Sequence, residues 1–121
     1  MSTHEVAEKL VQFCRAGQNI DAINQLYADN ITSLEHPGTP MERAEGKEAV
    51  LEKNNNWYQS VQEVHSVEIS DPVVTGEFFA VAMDMDVTYK KSGRMQMNEI
   101  AVYRVKSGKI VFEQFHYSMG N

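Results

Sequence analysis

Three stretches decide the fold: Phe79–Tyr89 (FAVAMDMDVTY), Met95–Val105 (MQMNEIAVYRV) and Val111–Tyr117 (VFEQFHY), joined through Lys91-Ser92-Gly93 and Lys106-Ser107-Gly108. Their alternation of apolar and polar residues reads as strands with one buried face. A three-residue hairpin loop ending in glycine suits a type I turn followed by a left-handed glycine, which predicts pairing of Lys90 with Arg94 and of Val105 with Lys109. That phasing fixes side-chain parity along all three strands. On the face with Phe79, Met83 and Met85 it also places Met97, Glu99, Tyr103, Glu113, Phe115 and Tyr117. Glu99 is expected beside Met85 and Phe115, with Glu113 one diagonal step away. Carboxylates in a wall of Met, Phe and Tyr are either paired or kept for use.

The opposite face divides in two. Asp84, Asp86, Thr88, Arg94, Gln96 and Asn98 make one half polar, whereas Ile100, Val102, Ile110 and Phe112 make the other largely apolar. An apolar patch of that kind predicts a homodimer contact through the outer sheet face.

Upstream, Val6, Leu10, Phe13 and Cys14 recur at helical spacing between Thr3 and Ala16, and Gly17 ends the run. Asn19 is expected to cap a second helix carrying Ile20, Ile23, Leu26 and Tyr27 on one side. Ile31–Glu35 reads as a short strand, and His36 to Glu45, with Pro37, Gly38 and Pro40, as a loop. A third helix is predicted from Gly46 to about Ser60, with Val50, Leu51, Trp57, Tyr58 and Val61 inward. Val64–Ser70 then forms a further strand before a turn near Asp71-Pro72. Helices first and antiparallel strands afterwards indicate an α+β domain.

The chain has 121 residues, enough for one domain and one core. Eleven basic against seventeen acidic residues give a net charge of −6, which speaks against nucleic acid or an anionic membrane as partner. No apolar run approaches the ~20 residues of a membrane span. The start, Met1-Ser2-Thr3-His4-Glu5, lacks the features of a secretory signal. Cys14 is the one cysteine and cannot form an internal disulfide, so a cytoplasmic location is expected. Asn30-Ile31-Thr32 matches a glycosylation sequon that carries no weight without secretion. No metal-ligand spacing, phosphate-binding glycine loop or cysteine pair is present, and no cofactor is expected.

The chemistry therefore rests on acids and one histidine. Desolvation and mutual repulsion would raise the pKa of Glu99, Glu113 or both, as a general acid requires, and their titration would be coupled. The structural alternative has them paired with an arginine or bonded to the hydroxyls of Tyr103 and Tyr117. His36, in the loop, can take a proton from carbon or activate water. Tyr103 can orient a carbonyl oxygen. Trp57, Tyr58, Met83, Met85, Met97, Phe115 and Tyr117 are the candidate wall of a pocket for a small apolar ligand; packing as plain core is the alternative for the methionines. His4, His65 and His116 read as terminal, structural and outward-facing, Cys14 as a small apolar filler, and Lys47 and Lys53 as solvated charges.

The order helix, helix, strand, Pro-containing loop, helix, long antiparallel sheet resembles the NTF2-like superfamily, in its SnoaL-like and ketosteroid-isomerase-like branches. Arg15-Ala16-Gly17, Asp21-Ala22-Ile23 and Leu26-Tyr27-Ala28-Asp29-Asn30-Ile31 are similar to that group's first two helices and their exit into a strand. Leu34-Glu35-His36-Pro37 and Glu45-Gly46-Lys47-Glu48-Ala49 resemble its loop before helix three. Tyr103-Arg104-Val105 and Ser107-Gly108-Lys109-Ile110-Val111 resemble its final hairpin. The resemblance implies an NTF2-like cone, three N-terminal helices packed in a curved antiparallel sheet, with a pocket at the open end. In the isomerases an aspartate before the loop proline is the base, and here that position is His36. Leu10 stands near the isomerase tyrosine and Ala101 near its sheet acid, with Glu99 two residues earlier on the same face. The same resemblance implies a single domain with proton-transfer chemistry of isomerase, cyclase or hydrolase type. The alternatives are a ligand-binding domain without catalysis and a protein-interaction module.

Overall fold

The computed structural model describes residues 1–39 and 42–118, so Pro40 of the predicted loop lies outside the described residues. Helix α1 (Thr3–Arg15) begins with a capping box in which Ser2 and Glu5 satisfy each other's backbone N–H, and it buries Val6, Ala7, Leu10 and Val11. Helix α2 (Asn19–Leu26) buries Ala22, Ile23 and Leu26. Its cap residue is Gln18, one position before the asparagine the sequence suggests. Tyr27 leaves the helix altogether and opens β1 (Tyr27–Leu34), four residues before the predicted strand start. The loop contains a short strand, β2 (Arg43–Glu45), ahead of α3 (Lys47–Ser60). In α3 only Val50 is fully buried, and Asn54 tolerates its position by donating through Nδ2 to the Val50 carbonyl. Val61 begins β3 (Val61–Ile69), and β4 (Val73–Thr75) follows the turn at Asp71-Pro72. The long strands are β5 (Phe78–Tyr89), β6 (Gly93–Lys106) and β7 (Lys109–Tyr117).

The sheet order is β2-β1-β7-β6-β5-β3, with β4 on the edge of β5. It is mixed, not wholly antiparallel as expected, because β1 runs parallel to β7. All three helices contact this curved sheet, and one apolar core, from Val6 and Leu10 through Ile31 and Val50 to Phe79, Val81 and Tyr103, fills the space between.

Both predicted registers need correcting. At the first hairpin Tyr89 pairs with Gly93, so the three-residue loop is Lys90–Ser92 and the glycine, at φ 83°, already belongs to β6. At the second, Lys106 pairs with Lys109 across a two-residue turn in which Ser107 (φ 51°) and Gly108 (φ 76°) are both left-handed, the conformation a type I′ turn requires. An irregularity beside Arg104 and Val105 leaves Val111 as the extra residue of β7. Glu99 consequently faces Met83 and Tyr117 in place of Met85 and Phe115, and Glu113 faces Tyr103. Each slip is two residues, so every side chain away from the bulge keeps its predicted face. Ile110, on the turn side of the bulge, does not: it was expected on the outer face and is fully buried opposite Val105. Ile100 stays outside at 53 % exposure.

Candidate functional site

The parallel seam between β1 and β7 gathers the polar side chains that the core must accommodate. Glu113 is 1 % exposed, and its two oxygens accept hydrogen bonds from the hydroxyls of Tyr27 and, at 2.6 Å, Ser33. Ser33 Oγ in turn accepts from Lys53 Nζ at 2.7 Å, and Lys53 forms an ion pair at 2.9 Å with Glu35 Oε2. The other oxygen of Glu35 accepts from Tyr117 Oη at 3.0 Å. One polar chain thus runs Tyr27–Glu113–Ser33–Lys53–Glu35–Tyr117. Burial raises the pKa of Glu113, opposed by the hydroxyls of Ser33 and Tyr27 and by the Lys53 charge. The buried phenols of Tyr27 and Tyr103 are pushed well above their ordinary value by desolvation and then by Glu113.

Lys53 is not the solvated charge the sequence suggested. Its side chain is 15 % exposed and its ammonium lies 5.3 Å from the centre of the Phe115 ring. It follows Val50 by three residues and precedes Trp57 by four, the spacing of one helix face, and that spacing was the available signal. Tyr27 and Ser33 were missed because their partner is 86 and 80 residues away.

Glu99 stands apart from this chain. Four residues of β6 separate it from Tyr103, the partner of Glu113, about 13 Å of strand. The expected diagonal contact between the two acids is therefore absent. Its side chain lies on the helix-facing side between Met83 and Tyr117, half-buried, and among the described residues no side chain donates a hydrogen bond to it. Burial lifts its pKa from 4.5 to about 7, with the charges of Glu35 and Glu113 raising it further and Lys53 opposing.

The remaining candidates fall into three groups. His36 is half-buried, with its ring 5.4 Å from that of Tyr117, which brings the loop histidine to the strand position opposite Glu99. Trp57 donates through Nε1 to Tyr89 Oη at 3.0 Å, and Tyr89 Oη lies 2.8 Å from Met97 Sδ, forming one wall next to Glu99. Tyr58 instead reaches the Gly17 carbonyl, at 3.2 Å, and packs edge-on to Trp57. Tyr103 is fully buried, stacked on Phe79 with ring centres 4.7 Å apart and edge-on to Phe115. Met83 is core, Met85 and Met97 are half-buried, and Met95 is 47 % exposed. Two surface recesses, of about 520 Å³ beside Met1, Glu77 and Lys106 and about 280 Å³ beside His4, Arg15 and Asp71, include none of these residues. Among the described residues no cluster of His, Cys, Asp and Glu could hold a metal ion, and no helix is long and apolar enough to cross a membrane.

Comparison with known proteins places this arrangement. The SnoaL-like domain family matches residues 1–117. A Mesorhizobium loti protein described as a candidate SnoaL-like polyketide cyclase, and also as a carbohydrate phosphatase, is similar at 37 % identity and TM-score 0.88, over 97 % of this chain and all of that one. An NTF2-like protein of unknown function from Burkholderia pseudomallei superposes with TM-score 0.78 at 14 % identity, over 98 % and 92 % of the two chains. A Catenulispora acidiphila protein with a ketosteroid-isomerase-like fold, solved with trimethylamine, does so with TM-score 0.76 at 18 % identity, over 95 % and 86 %. No curated protein matches. By the reach of the family match and by its architecture, the chain belongs to the SnoaL-like domain family, within the NTF2-like fold.

Proposed function

We propose that the protein binds a small, largely apolar molecule bearing a carbonyl or hydroxyl and moves a proton on it, as an isomerase, cyclase or hydrolase type of enzyme with Glu99 as the acid. One observation carries this reading: Glu99 is half-buried on the helix-facing side of the sheet, without a side-chain partner among the described residues, and that burial lifts its pKa to about 7. A carboxyl with that pKa can both give and recover a proton at neutral pH. His36, above the ring of Tyr117, is the candidate base. Trp57, Tyr89 and Met97 supply apolar surface on one side, and Tyr103, buried on β6 against Phe79 and Phe115, is packing and not a group that meets the ligand. Glu113 has both oxygens engaged inside the core, so its role is to hold the β1–β7 seam in place. The polyketide-cyclase and ketosteroid-isomerase-like descriptions of similar structures are consistent with a small-molecule substrate.

Turnover of a panel of cyclic and linear ketones tests the reading. Glu99→Gln and His36→Ala are each expected to lower kcat by about 10²–10⁴-fold. Undiminished turnover in Glu99→Gln removes the acid assignment. The exposed Ile100, with Val102 and Phe112 further along the same outer face, favours a homodimer through that face. Sedimentation is expected to give a dimer for the wild type and a monomer for Ile100→Glu, whereas a monomeric wild type would remove the dimer. The Cys14 thiol, which burial pushes up to about 12, is inert filler and fits a reducing, cytoplasmic setting.

A further inference from the structure

We propose that Glu35 is a positioning residue whose carboxylate, clamped between Lys53 and Tyr117, keeps the proton on Glu99. The inference rests on the reading of Glu99 as the working acid, and deepens it by naming what sets its protonation.

The clamp is geometric. Glu35 Oε2 lies 2.9 Å from Lys53 Nζ and Oε1 lies 3.0 Å from Tyr117 Oη, so the carboxylate is fixed at both ends, with its side chain 20 % exposed. Tyr117 is the β7 residue directly opposite Glu99, so one phenol links the strand position of the acid to the Glu35 carboxylate. Lys53 stands over Phe115, whose partner Ala101 is one same-face step from Glu99. The amine is spoken for: its close contacts are Glu35 and Ser33, the latter passing the interaction on to Glu113.

Glu99 therefore faces a carboxylate whose charge the Lys53 ammonium paired to it offsets only in part. The charged and titratable groups around it are Glu35 just past β1, His36 from the loop that follows, Lys53 from α3, Glu113 and Tyr117 from β7, Tyr103 on its own strand, Tyr89 from β5 and Cys14 from α1. Glu35 is the nearest in influence of the two acids, consistent with the 13 Å of strand that separates the backbones of Glu99 and Tyr103 (about four residues). A second negative charge on Glu99 would add repulsion that Lys53 offsets only in part.

Side-chain carboxyl NMR titration of Glu99 tests the inference without any substrate. Replacing Glu35 by Gln removes the repelling charge and releases the Lys53 ammonium, and both changes favour the ionised form of Glu99. Its titration midpoint is expected to fall by about one pH unit or more. The charge-neutral pair Glu35→Gln with Lys53→Met is expected to fall less than Glu35→Gln alone, because no freed cation remains. Tyr117→Phe opens one side of the clamp and provides a milder variant should the others fold poorly; the midpoint is expected to fall, by less than in Glu35→Gln, and an unchanged midpoint would show that the clamp is not needed. Where turnover has been found, the acid limb of the pH–rate profile moves with the midpoint. A wild-type Glu99 that titrates as an ordinary exposed carboxyl overturns the proposed function. A Glu99 that titrates near 7 and does not move in Glu35→Gln overturns the positioning role alone.

Discussion

Glu113 and Glu99 project from adjacent strands toward the same helices, yet they live in different surroundings. Glu113 sits where β1 and β7 run side by side; two hydroxyls satisfy it, a lysine stands behind one of them, and water is excluded. Glu99 sits two same-face steps further along the sheet, opposite the Tyr117 end of that chain, half-buried and without a hydrogen bond from it among the described residues. Both acids have raised pKa values with desolvation as the leading cause. A perturbed pKa alone therefore does not tell a buried anchor from a reactive group. What separates them is whether the carboxyl oxygens are already used.

That contrast can be broken or sharpened by experiment. The largest expected effect is Glu113→Ala, which strands the hydroxyls of Tyr27 and Ser33 and leaves Lys53 with less compensation; it should destabilise the fold by about 3–5 kcal/mol in urea unfolding. A loss below about 1 kcal/mol would show that the seam does not depend on Glu113. Next comes pH. A carboxyl whose folded pKa is about 7 against an unfolded 4.5 binds its proton more tightly when folded. Its contribution is complete below pH 4.5 and is lost as pH rises to 7, a decline of about 2 kcal/mol after allowance for partial solvent access. Glu99→Gln should flatten that slope, and an unchanged slope would assign it to another group. Ser33→Ala, which cuts the link between Lys53 and Glu113, should cost about 1–2 kcal/mol. The smallest effect is Glu99→Gln below pH 4.5, where both side chains are neutral: unfolding free energy should stay within about half a kcal/mol of wild type. A loss there comparable to that of Glu113→Ala would erase the distinction between the two regions.

The alternation of β5, β6 and β7 was legible because each strand has one wet and one buried face, and slips of two residues leave that property intact. For this reason Glu99 and Glu113 were placed on the correct face with the wrong neighbours. The two Lys-Ser-Gly motifs look alike in sequence and fold differently, one as a three-residue loop and one as a two-residue turn with a bulge beyond it. Nothing local announces that bulge, and Ile110 was misplaced because of it. Tyr27 and Ser33 were invisible as partners of Glu113 because parallel pairing joins the start of the chain to its end, and no local pattern records it. Lys53 was misread from residue type alone, since the Asn54-Asn55-Asn56 run hides the helix face that it shares with Val50 and Trp57.

The β1–β7 seam has a consequence for biosynthesis. Tyr27 is made 86 residues before Glu113, so a growing chain that has not reached β7 holds Tyr27, Ser33 and Lys53 without the acid that unites them. The interior can close only when the final strand slots between β1 and β6. The last-made strand of this sheet is for that reason its keystone.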